Sequence, residues 1–339
     1  MILVSVICPC YNEEKNIVSC IDSMLQQDIN LDACELLFVD GMSTDRTREM
    51  IASYIDQYPF IHLLDNPHRT APYAMNIGIR AAKGEIIVRI DAHASFPTNY
   101  ISTLTHALQT LPNAANVGGV CRTIPAQDSA LCIAIAKTMS HPFGVGNSMF
   151  RIGTKDVMEV DTVPFGCFYK KQLEKVGIYD EELTRNQDDE LNARIIQQGG
   201  SIYLLPTIQI DYIARDKLSK MARMFYQYGL FKPLVNKKLS TPATLRQFVP
   251  PLFVFGTIMG LVLCIVFPIL WIAFALVYWI YISTGIAVGI RLAMKHNKGI
   301  LSLLTPLCFL VLHWSYGIGY WKGLYKVALH KPFNVSINR

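Results

Sequence analysis

The stretch Leu3-Val4-Ser5-Val6-Ile7-Cys8-Pro9-Cys10-Tyr11-Asn12-Glu13-Glu14 decides the fold of this chain. Its first part, Leu3 to Cys8, is a continuous apolar run of strand length, which predicts a buried β-strand. Residues 14–26 follow with apolar side chains at three- and four-residue spacing, the pattern of an amphipathic helix. A buried strand that passes through a polar turn into a helix is typical of an α/β sheet.

The alternation continues along the chain and predicts strands at 35–39 and 85–90 and helices at 45–58 and 71–82. This order predicts an α/β fold with a mostly parallel sheet and helices on both faces. In such sheets ligands bind where the carboxyl ends of the strands meet the loops. We therefore expect the polar residues that follow each strand to form the functional site.

Charge divides the 339 residues into two unlike parts, although the net charge is only +5. Residues 1–216 carry 17 Lys and Arg against 26 Asp and Glu, whereas residues 217–339 carry 14 Lys and Arg and no acid. The first apolar run has no basic residues before it, so it does not resemble a signal peptide. The nine cysteines are scattered, which favours a reducing compartment. Residues 1–216 are therefore predicted to form a cytoplasmic domain.

The second part is predicted to be a membrane region, because the 42 residues from Val249 to Ile290 contain no charge. The alternative, a buried helical hairpin of a large soluble protein, is less compatible with that length. The predicted parts are a basic juxtamembrane segment at 217–248, a membrane region at 249–320 with spans at about 249–268, 269–290 and 300–320, and a basic tail at 321–339.

The positive-inside rule sets the expected topology, a multi-pass protein of the cell (inner) membrane. Basic residues before the first span and after the second place both of these stretches in the cytoplasm. Three full crossings would place Lys322, Lys326, Lys331 and Arg339 outside. The third segment is therefore either a crossing or a re-entrant or interfacial segment, and the sequence leaves both open.

Four polar clusters follow predicted strands or open helices: residues 9–14, 40–45, 89–93 and 186–191. Asp91 and His93 stand two apart in an extended segment, so their side chains point the same way and suit a divalent cation. Taken alone, such a pair is far more often two ordinary turn residues than a pair of metal ligands. The acids Asp188, Asp189 and Glu190 are likewise common at a helix N-terminus, where the helix dipole favours them.

The order of these clusters resembles glycosyltransferase family 2 of GT-A fold. The resemblance rests on Pro9-x-Tyr11-Asn12-Glu13-Glu14, on Val39-Asp40-x-x-Ser43-Thr44-Asp45, on Asp91-x-His93 and on Gln187-Asp188. Residues 40–45, Asn66-Pro67 and 91–93 are similar to the succinoglycan biosynthesis (ExoA-like) subgroup. The implied fold is a nucleotide-diphospho-sugar transferase domain followed by a C-terminal transmembrane helical region.

The resemblance also implies roles for single residues. Asp188 would be the catalytic base, and Mg2+ or Mn2+ would bind Asp91 and His93. Tyr11 would stack on the nucleotide base, and Gly166 and Asp189 would lie beside the acceptor. Donor-binding roles would fall on Pro9, Tyr11, Glu13, Asp40, Arg69 and Asp91.

Three features depart from the family pattern. Gly41 stands where the family commonly has a second Asp, which can read the nucleotide base. Gln187 replaces a Glu before the base and removes one nearby negative charge. The Gln-x-x-Arg-Trp signature of processive synthases is absent, so addition of one sugar at a time is expected.

The leading hypothesis is a membrane-anchored, metal-dependent, inverting hexosyltransferase. It would move a hexose from a UDP-linked sugar to a lipid-linked saccharide in exopolysaccharide or capsule biosynthesis, with no role for nucleic acid. One alternative is a nucleotide-sugar-binding membrane sensor or scaffold without transferase activity. A second is an α/β oxidoreductase, which the missing Gly-x-Gly-x-x-Gly after the first strand opposes.

Overall fold

The structure, a computed structural model of the chain, describes residues 3–333, so the end of the predicted basic tail lies outside the described residues. The described chain forms two compact units. The first contains residues 3–122 and 153–212, and the second contains residues 123–152 and 213–333. The long C-terminal segment of the second unit begins near the boundary predicted at 216.

One mixed sheet lies at the centre of the first unit, with strand order β3-β2-β1-β4-β7-β5-β8-β6. Its strands are β1 (Val4–Cys10), β2 (Cys34–Asp40), β3 (Ile61–Asp65), β4 (Ile86–Arg89), β5 (Ala114–Ile124), β6 (Met158–Glu159), β7 (Cys167–Tyr169) and β8 (Ser201–Ile213). The three predicted strands correspond to β1, β2 and β4, which confirms the α/β fold.

The N-terminal half of the sheet is parallel. β1 pairs with β2 on one side, Val4 opposite Cys34, and with β4 on the other, Ile7 opposite Arg89. β1 and β2 are both buried along almost their whole length. Continuous apolar runs are typical of parallel strands that are covered on both faces.

The other half of the sheet contains antiparallel pairs, because β7 pairs in this sense with both β4 and β5, and β6 with β8. The neighbours β5 and β8 run in the same direction, since Ser201 N–H donates to the carbonyl of Asn113 and Ala214 N–H to that of Ile124, both at 2.9 Å. The sheet is therefore mixed, with β6 and β7 running against the other strands. The sequence did not predict this change of direction, because β6 and β7 are only two and three residues long.

Helices connect the strands of the first unit and form most of the second. They are α1 (Ile17–Leu25), α2 (Thr47–Ile55), α3 (Ala71–Ala81), α4 (Tyr100–Thr110), α5 (Ala130–Met139), α6 (Pro142–Val145), α7 (Met149–Ile152), α8 (Lys170–Val176), α9 (Gln187–Gln197), α10 (Leu218–Leu239), α11 (Val249–Val266), α12 (Leu270–His296) and α13 (Leu301–Ala328). The three helices predicted from periodicity correspond to α1, α2 and α3.

Among residues 3–333, three helical segments are long and apolar enough to cross a bilayer: Leu245–Val266, Leu270–His296 and Leu301–Ala328. The first two form the predicted hairpin, because α11 ends and α12 begins on either side of Pro268. This bears out the prediction of a C-terminal apolar helical region.

Glycines allow α10 and α13 to pack with their backbones close together. A Cβ atom on Gly229 would lie 2.0 Å from the carbonyl oxygen of Tyr316. A Cβ on Gly319 would lie 2.1 Å from the oxygen of Tyr226, and one on Gly323 would lie 2.3 Å from that of Leu230. Gly319 and Gly323 are four residues apart, the spacing that lets helices approach closely in membrane proteins.

Gly319→Ala should therefore destabilise the second unit. The added methyl group must displace the α10 backbone, and such overpacking costs about 1–3 kcal/mol. Gly256→Ala in α11 is the matched control, because a Cβ there meets nothing within 4 Å. Thermal unfolding of the full chain in detergent should show a lower midpoint for Gly319→Ala alone; equal midpoints would contradict the close packing.

Candidate active site

The carboxyl ends of β1 and β4 bring three potential metal ligands together. Glu13 follows β1, and Asp91 and His93 follow β4, the parallel neighbour of β1. One ligand atom from each side chain lies within 4.8 Å of the other two. Nδ1 of His93 lies 2.7 Å from Oδ1 of Asp91 and 3.3 Å from Oε1 of Glu13.

This donor set fits a divalent cation, because two carboxylates and an imidazole are ligands that Mn2+ accepts and Mg2+ accepts in part. Burial raises the pKa of Asp91, but His93 and Arg89 together lower it below its ordinary value, so the carboxylate is ionised at neutral pH. The predicted ligands Asp91 and His93 lie side by side, and the structure adds Glu13, which we expected only at the nucleoside.

Local hydrogen bonds fix Glu13 at this position. Its backbone N–H donates to Oγ1 of Thr47 at 2.7 Å, and its Oε2 accepts from Nδ2 of Asn16 at 2.8 Å. The side chain is buried, so its orientation is set by these partners and by His93. A ligand carboxylate held in this way needs little rearrangement to bind an ion.

Asp40, a predicted donor-binding residue, ends β2 and is fully buried. Its carboxylate accepts hydrogen bonds from the backbone N–H of Ser43 and from Nη1 of Arg48, both at 2.8 Å. These partners lie in the chain itself, so Asp40 shapes the turn at 40–45. Its contact with a nucleoside stays a prediction.

The predicted donor residues Tyr11 and Arg69 are neighbours. The guanidinium carbon of Arg69 lies 6.0 Å from the centre of the Tyr11 ring. Pro9 lies two residues earlier in β1, opposite Val39 of β2. A Cβ on Gly41 would lie 3.2 Å from Cβ of Tyr11, so an aspartate at this position would press on the ring.

Asp188, the predicted base, lies in the first turn of α9 and forms an ion pair with Arg89 at the end of β4. The Arg89 side chain is only 7% exposed, whereas that of Asp188 is 24% exposed. Burial raises the pKa of Asp188 above its ordinary value; Arg89 opposes this rise, and Asp189 adds to it. A carboxylate with a raised pKa is a stronger proton acceptor near neutral pH.

Aromatic rings enclose the guanidinium group of Arg89. Its central carbon lies 5.8 Å from the ring centres of both Phe165 and Tyr179. Asn76 holds the Tyr179 backbone from both sides, since Nδ2 donates to the carbonyl at 2.8 Å and Oδ1 accepts from the N–H at 3.0 Å. The Tyr179 ring is therefore fixed beside the ion pair.

Arg194 ties the segment before Tyr179 to α9. Its guanidinium group pairs with Glu190, with Nε 2.6 Å from Oε1. It also donates at 2.7–2.9 Å to the carbonyl oxygens of Val176, Gly177 and Ile178. The helix that carries Asp188 and the loop that carries Tyr179 are thus held together by one side chain.

No role in the site was predicted from the sequence for Arg89 or Tyr179. Arg89 offered a signal, because a charged residue that ends an apolar strand needs a partner when buried. Tyr179 offered none, since it is nine residues from Asp188 and no local pattern joins them. Only the fold brings Asp188, Arg89 and Tyr179 together.

The two predicted acceptor residues, Asp189 and Gly166, lie on α9 and just before β7. Asp189 lies next to Asp188 in the first turn of α9. A Cβ on Gly166 would lie 2.1 Å from Oδ1 of Asn116, so the missing side chain makes room for this asparagine. Packing alone requires glycine at 166, and the acceptor role of both residues stays a prediction.

Comparison with known proteins identifies the family. A family model described as Glycosyl transferase family 2 matches residues 5–129. A dolichyl N-acetyl-alpha-D-glucosaminyl phosphate 3-beta-D-2,3-diacetamido-2,3-dideoxy-beta-D-glucuronosyltransferase from Methanococcus voltae is 30% identical over 96% of this chain and 98% of its own. The chain belongs to glycosyltransferase family 2. The resemblance seen in the sequence is thereby confirmed, and the oxidoreductase alternative is removed.

Two further similarities support this family 2 assignment. The succinoglycan biosynthesis protein ExoA of Rhizobium meliloti is 28% identical over 94% of both chains. The mannosyltransferase PcManGT from Pyrobaculum calidifontis, solved in complex with GDP-Man and Mn2+, has a TM-score of 0.60 and 20% identity and covers 95% of this chain and 87% of its own. The latter similarity concerns the fold, which is GT-A.

Removing one of the three candidate ligands should weaken the binding of a divalent cation. Asp91→Asn takes away one candidate ligand carboxylate, so the affinity for Mn2+ should fall by more than about tenfold, because changing even an outer-shell partner of a metal ligand typically costs about 10–100-fold. Titration calorimetry with MnCl2 and a nucleoside diphosphate measures this. Asp156→Asn, at an exposed position, is the control; equal affinities for both variants would exclude this metal site.

Proposed function

We propose that this protein is a membrane-anchored, metal-dependent, inverting hexosyltransferase that acts on a lipid-linked saccharide. The observation that carries the proposal is the position of Arg89. It pairs with Asp188 and stands two residues before Asp91, so the base candidate and the metal ligands lie at one edge of the sheet.

The donor would be a nucleotide-linked hexose, with UDP as the expected carrier. Tyr11 and Arg69 lie next to each other at the end of β1 and offer a ring for the base and a cation for the diphosphate. A metal ion bound by Glu13, Asp91 and His93 would supply positive charge to the leaving diphosphate.

Asp188 would remove the proton from the acceptor hydroxyl. The hydroxyl oxygen forms a bond to the anomeric carbon, and the bond from this carbon to the nucleotide diphosphate breaks on the opposite face, which inverts the configuration. Arg89 keeps the Asp188 carboxylate oriented during this step, and the Tyr179 ring fixes Arg89. Burial of the Arg89 side chain strengthens its interaction with Asp188.

The lipid-linked acceptor is supported by the relatives and by the second unit. The Methanococcus voltae relative is named for a dolichyl-linked phosphate acceptor, and the Rhizobium relative for succinoglycan biosynthesis. The apolar helices of the second unit would hold the enzyme at the cytoplasmic face of the inner membrane as a multi-pass protein. Exopolysaccharide or capsule assembly is the corresponding process.

Turnover should depend on Asp188. The purified full chain should release UDP from a UDP-hexose only when Mn2+ and a lipid-linked acceptor are both present. Asp188→Asn should lower kcat about 10²–10⁴-fold, the usual contribution of a general base, and leave nucleotide binding unchanged. Asp156→Asn should behave as the unaltered protein.

A nucleotide-release assay, followed by mass spectrometry of the lipid product, measures this turnover. Full activity of Asp188→Asn would remove it from the base role. Metal-dependent nucleotide binding with no release from any UDP- or GDP-sugar would favour a sensor or scaffold instead.

Arg89→Met should shift the pH profile of turnover. Because Arg89 lowers the pKa of Asp188, its removal should raise that pKa further, so the acidic limb of kcat against pH should move to higher pH. Arg89→Lys, which keeps the charge, should move the limb less. Arg122→Met, which breaks the surface pair with Asp211, is the control. An unchanged limb in Arg89→Met would show that Asp188 is not the titrating base.

A further inference from the structure

Hydropathy does not decide whether α13 crosses the membrane, so the packing of α13 in the second unit is needed. The α11–α12 hairpin is the structure relative to which the course of α13 is described. Phe253 stacks on Tyr281 with ring centres 4.7 Å apart, and Oγ1 of Thr257 lies 2.7 Å from the hydroxyl of Tyr278. These pairs set the register of the hairpin, with residues 249–257 and 278–296 at its base and the turn near Pro268 at its tip.

The first half of α13 packs against the base of α12. A Cβ on Gly289 would lie 2.6 Å from the carbonyl oxygen of Leu301, and one on Gly285 would lie 2.8 Å from Cβ of Pro306. Further along α13, Nδ1 of His313 lies 2.7 Å from the hydroxyl of Tyr281.

The second half of α13 moves sideways to the start of α11 instead of rising toward the tip. A Cβ on Gly317 would lie 2.6 Å from Cγ2 of Val254 and 2.7 Å from the carbonyl oxygen of Pro250, and Nε1 of Trp321 donates to the carbonyl oxygen of Pro251 at 3.0 Å. Since Phe253 is opposite Tyr281, Pro250 and Val254 lie level with residues 280–285 of α12. Over the eleven residues from Pro306 to Gly317, about 16 Å of helix, α13 therefore advances along the hairpin by only about 8 Å or less.

Both ends of α13 are tied to helices outside the hairpin. At its beginning, Nζ of Lys298 lies 2.7 Å from Oδ1 of Asp128, which directly precedes the N-cap of α5. At its end, the hydroxyl of Tyr320 accepts from Nδ2 of Asn236 in α10 at 3.2 Å. The ring of Phe333, just beyond α13, lies 5.5 Å from that of Phe231 in α10.

The two helices that hold α13 begin side by side. The N–H of Ala214, before α10, donates to the carbonyl of Ile124 at 2.9 Å, and Sγ of Cys132 in α5 donates to that of Asp216 at 3.5 Å. α5 has ten residues, about 15 Å, too short to span. α13 thus begins beside the starts of α5 and α10, and its C-terminal part contacts α10 further along, at Phe231 and Asn236.

We propose that α13 does not cross the bilayer: only the α11–α12 hairpin enters the hydrocarbon, and α13 lies at its base in the headgroup region of the cytoplasmic leaflet. The C-terminal segment then stays on the cytoplasmic side. This removes the conflict with the positive-inside rule that three crossings create. The inference rests on the membrane association proposed above but not on the transferase chemistry.

Exposure of the hairpin agrees with this placement. Of residues 258–280, only Cys264 is buried and nearly all the others are exposed, and the stretch carries no charge. It extends about 15 Å along each helix beyond the Thr257–Tyr278 pair, the part that lipid tails must cover. By contrast, the face of α13 that meets α10, α11 and α12 is buried from Leu301 to Gly323.

The end of α13 presents lysines and aromatic rings, the combination typical of a membrane interface. Nζ of Lys322 and of Lys331 lie 5.3 Å and 4.8 Å from the centre of the Tyr325 ring. Nζ of Lys326 lies 5.4 Å from the centre of the Phe333 ring. No acid occurs after residue 216, so the surface that these lysines form is complementary to anionic lipid headgroups.

Reporter fusions to the full chain test the topology. Green fluorescent protein and alkaline phosphatase are each placed after Arg339 and expressed in a bacterial host. We expect a fluorescent C-terminus and an inactive phosphatase, both in the membrane fraction. A control with one added transmembrane helix before the reporter should reverse both signals. Phosphatase activity without the added helix would overturn the inference, and recovery in the soluble fraction would overturn the membrane association as well.

Lipid stabilisation tests the headgroup contact. Phosphatidylglycerol should raise the unfolding midpoint of the detergent-solubilised full chain more than phosphatidylcholine does. Replacing Lys322, Lys326 and Lys331 by Gln should remove at least half of this difference. The control replaces the exposed Lys155, Lys171 and Lys175 by Gln and should keep it. An undiminished difference in the first variant would overturn the assignment of anionic lipid to this surface.

Discussion

The parallel pairing of β1 with β4 is the constraint on which the rest of the site depends. Because the two strands run side by side in the same direction, the residues after each of them meet at one edge of the sheet. Glu13 arrives from β1, and Asp91 and His93 arrive from β4. A change in the register of β4 by one residue would turn Arg89 and Asp91 to the other face and dismantle the cluster.

Arg89 connects this edge of the sheet to α9, the helix that carries Asp188. A guanidinium group that is almost fully buried requires a carboxylate partner, since breaking a buried ion pair costs about 3–5 kcal/mol. Asp188 supplies that partner, and Arg194 and Asn76 fix the surrounding loop with hydrogen bonds to its backbone. The position of the candidate base is therefore set by folding and does not wait for substrate.

Close packing likewise determines how the helices of the second unit are arranged. Small residues at Gly229, Gly319 and Gly323 let α10 and α13 touch along their backbones, and this contact draws the end of α13 toward a basic helix. The hairpin then remains the one element with a long uncharged surface left uncovered within the described chain. By length and hydropathy, α11, α12 and α13 could all span a bilayer. Packing distinguishes them, because a larger share of α13 is buried against its neighbours.

Local pattern was sufficient for the elements that are apolar and long. The sequence by itself determined β1, β2, β4, α1, α2 and α3, the uncharged hairpin with its turn at Pro268, and the proximity of Asp91 to His93, because each depends on periodicity or on neighbours two residues apart. Only the tertiary structure decided the antiparallel direction of β6 and β7, the position of Glu13 beside Asp91 and His93, the Arg89–Asp188 pair with Tyr179, and the course of α13. Each of these joins residues far apart in the chain, and burial rather than local spacing selects their partners.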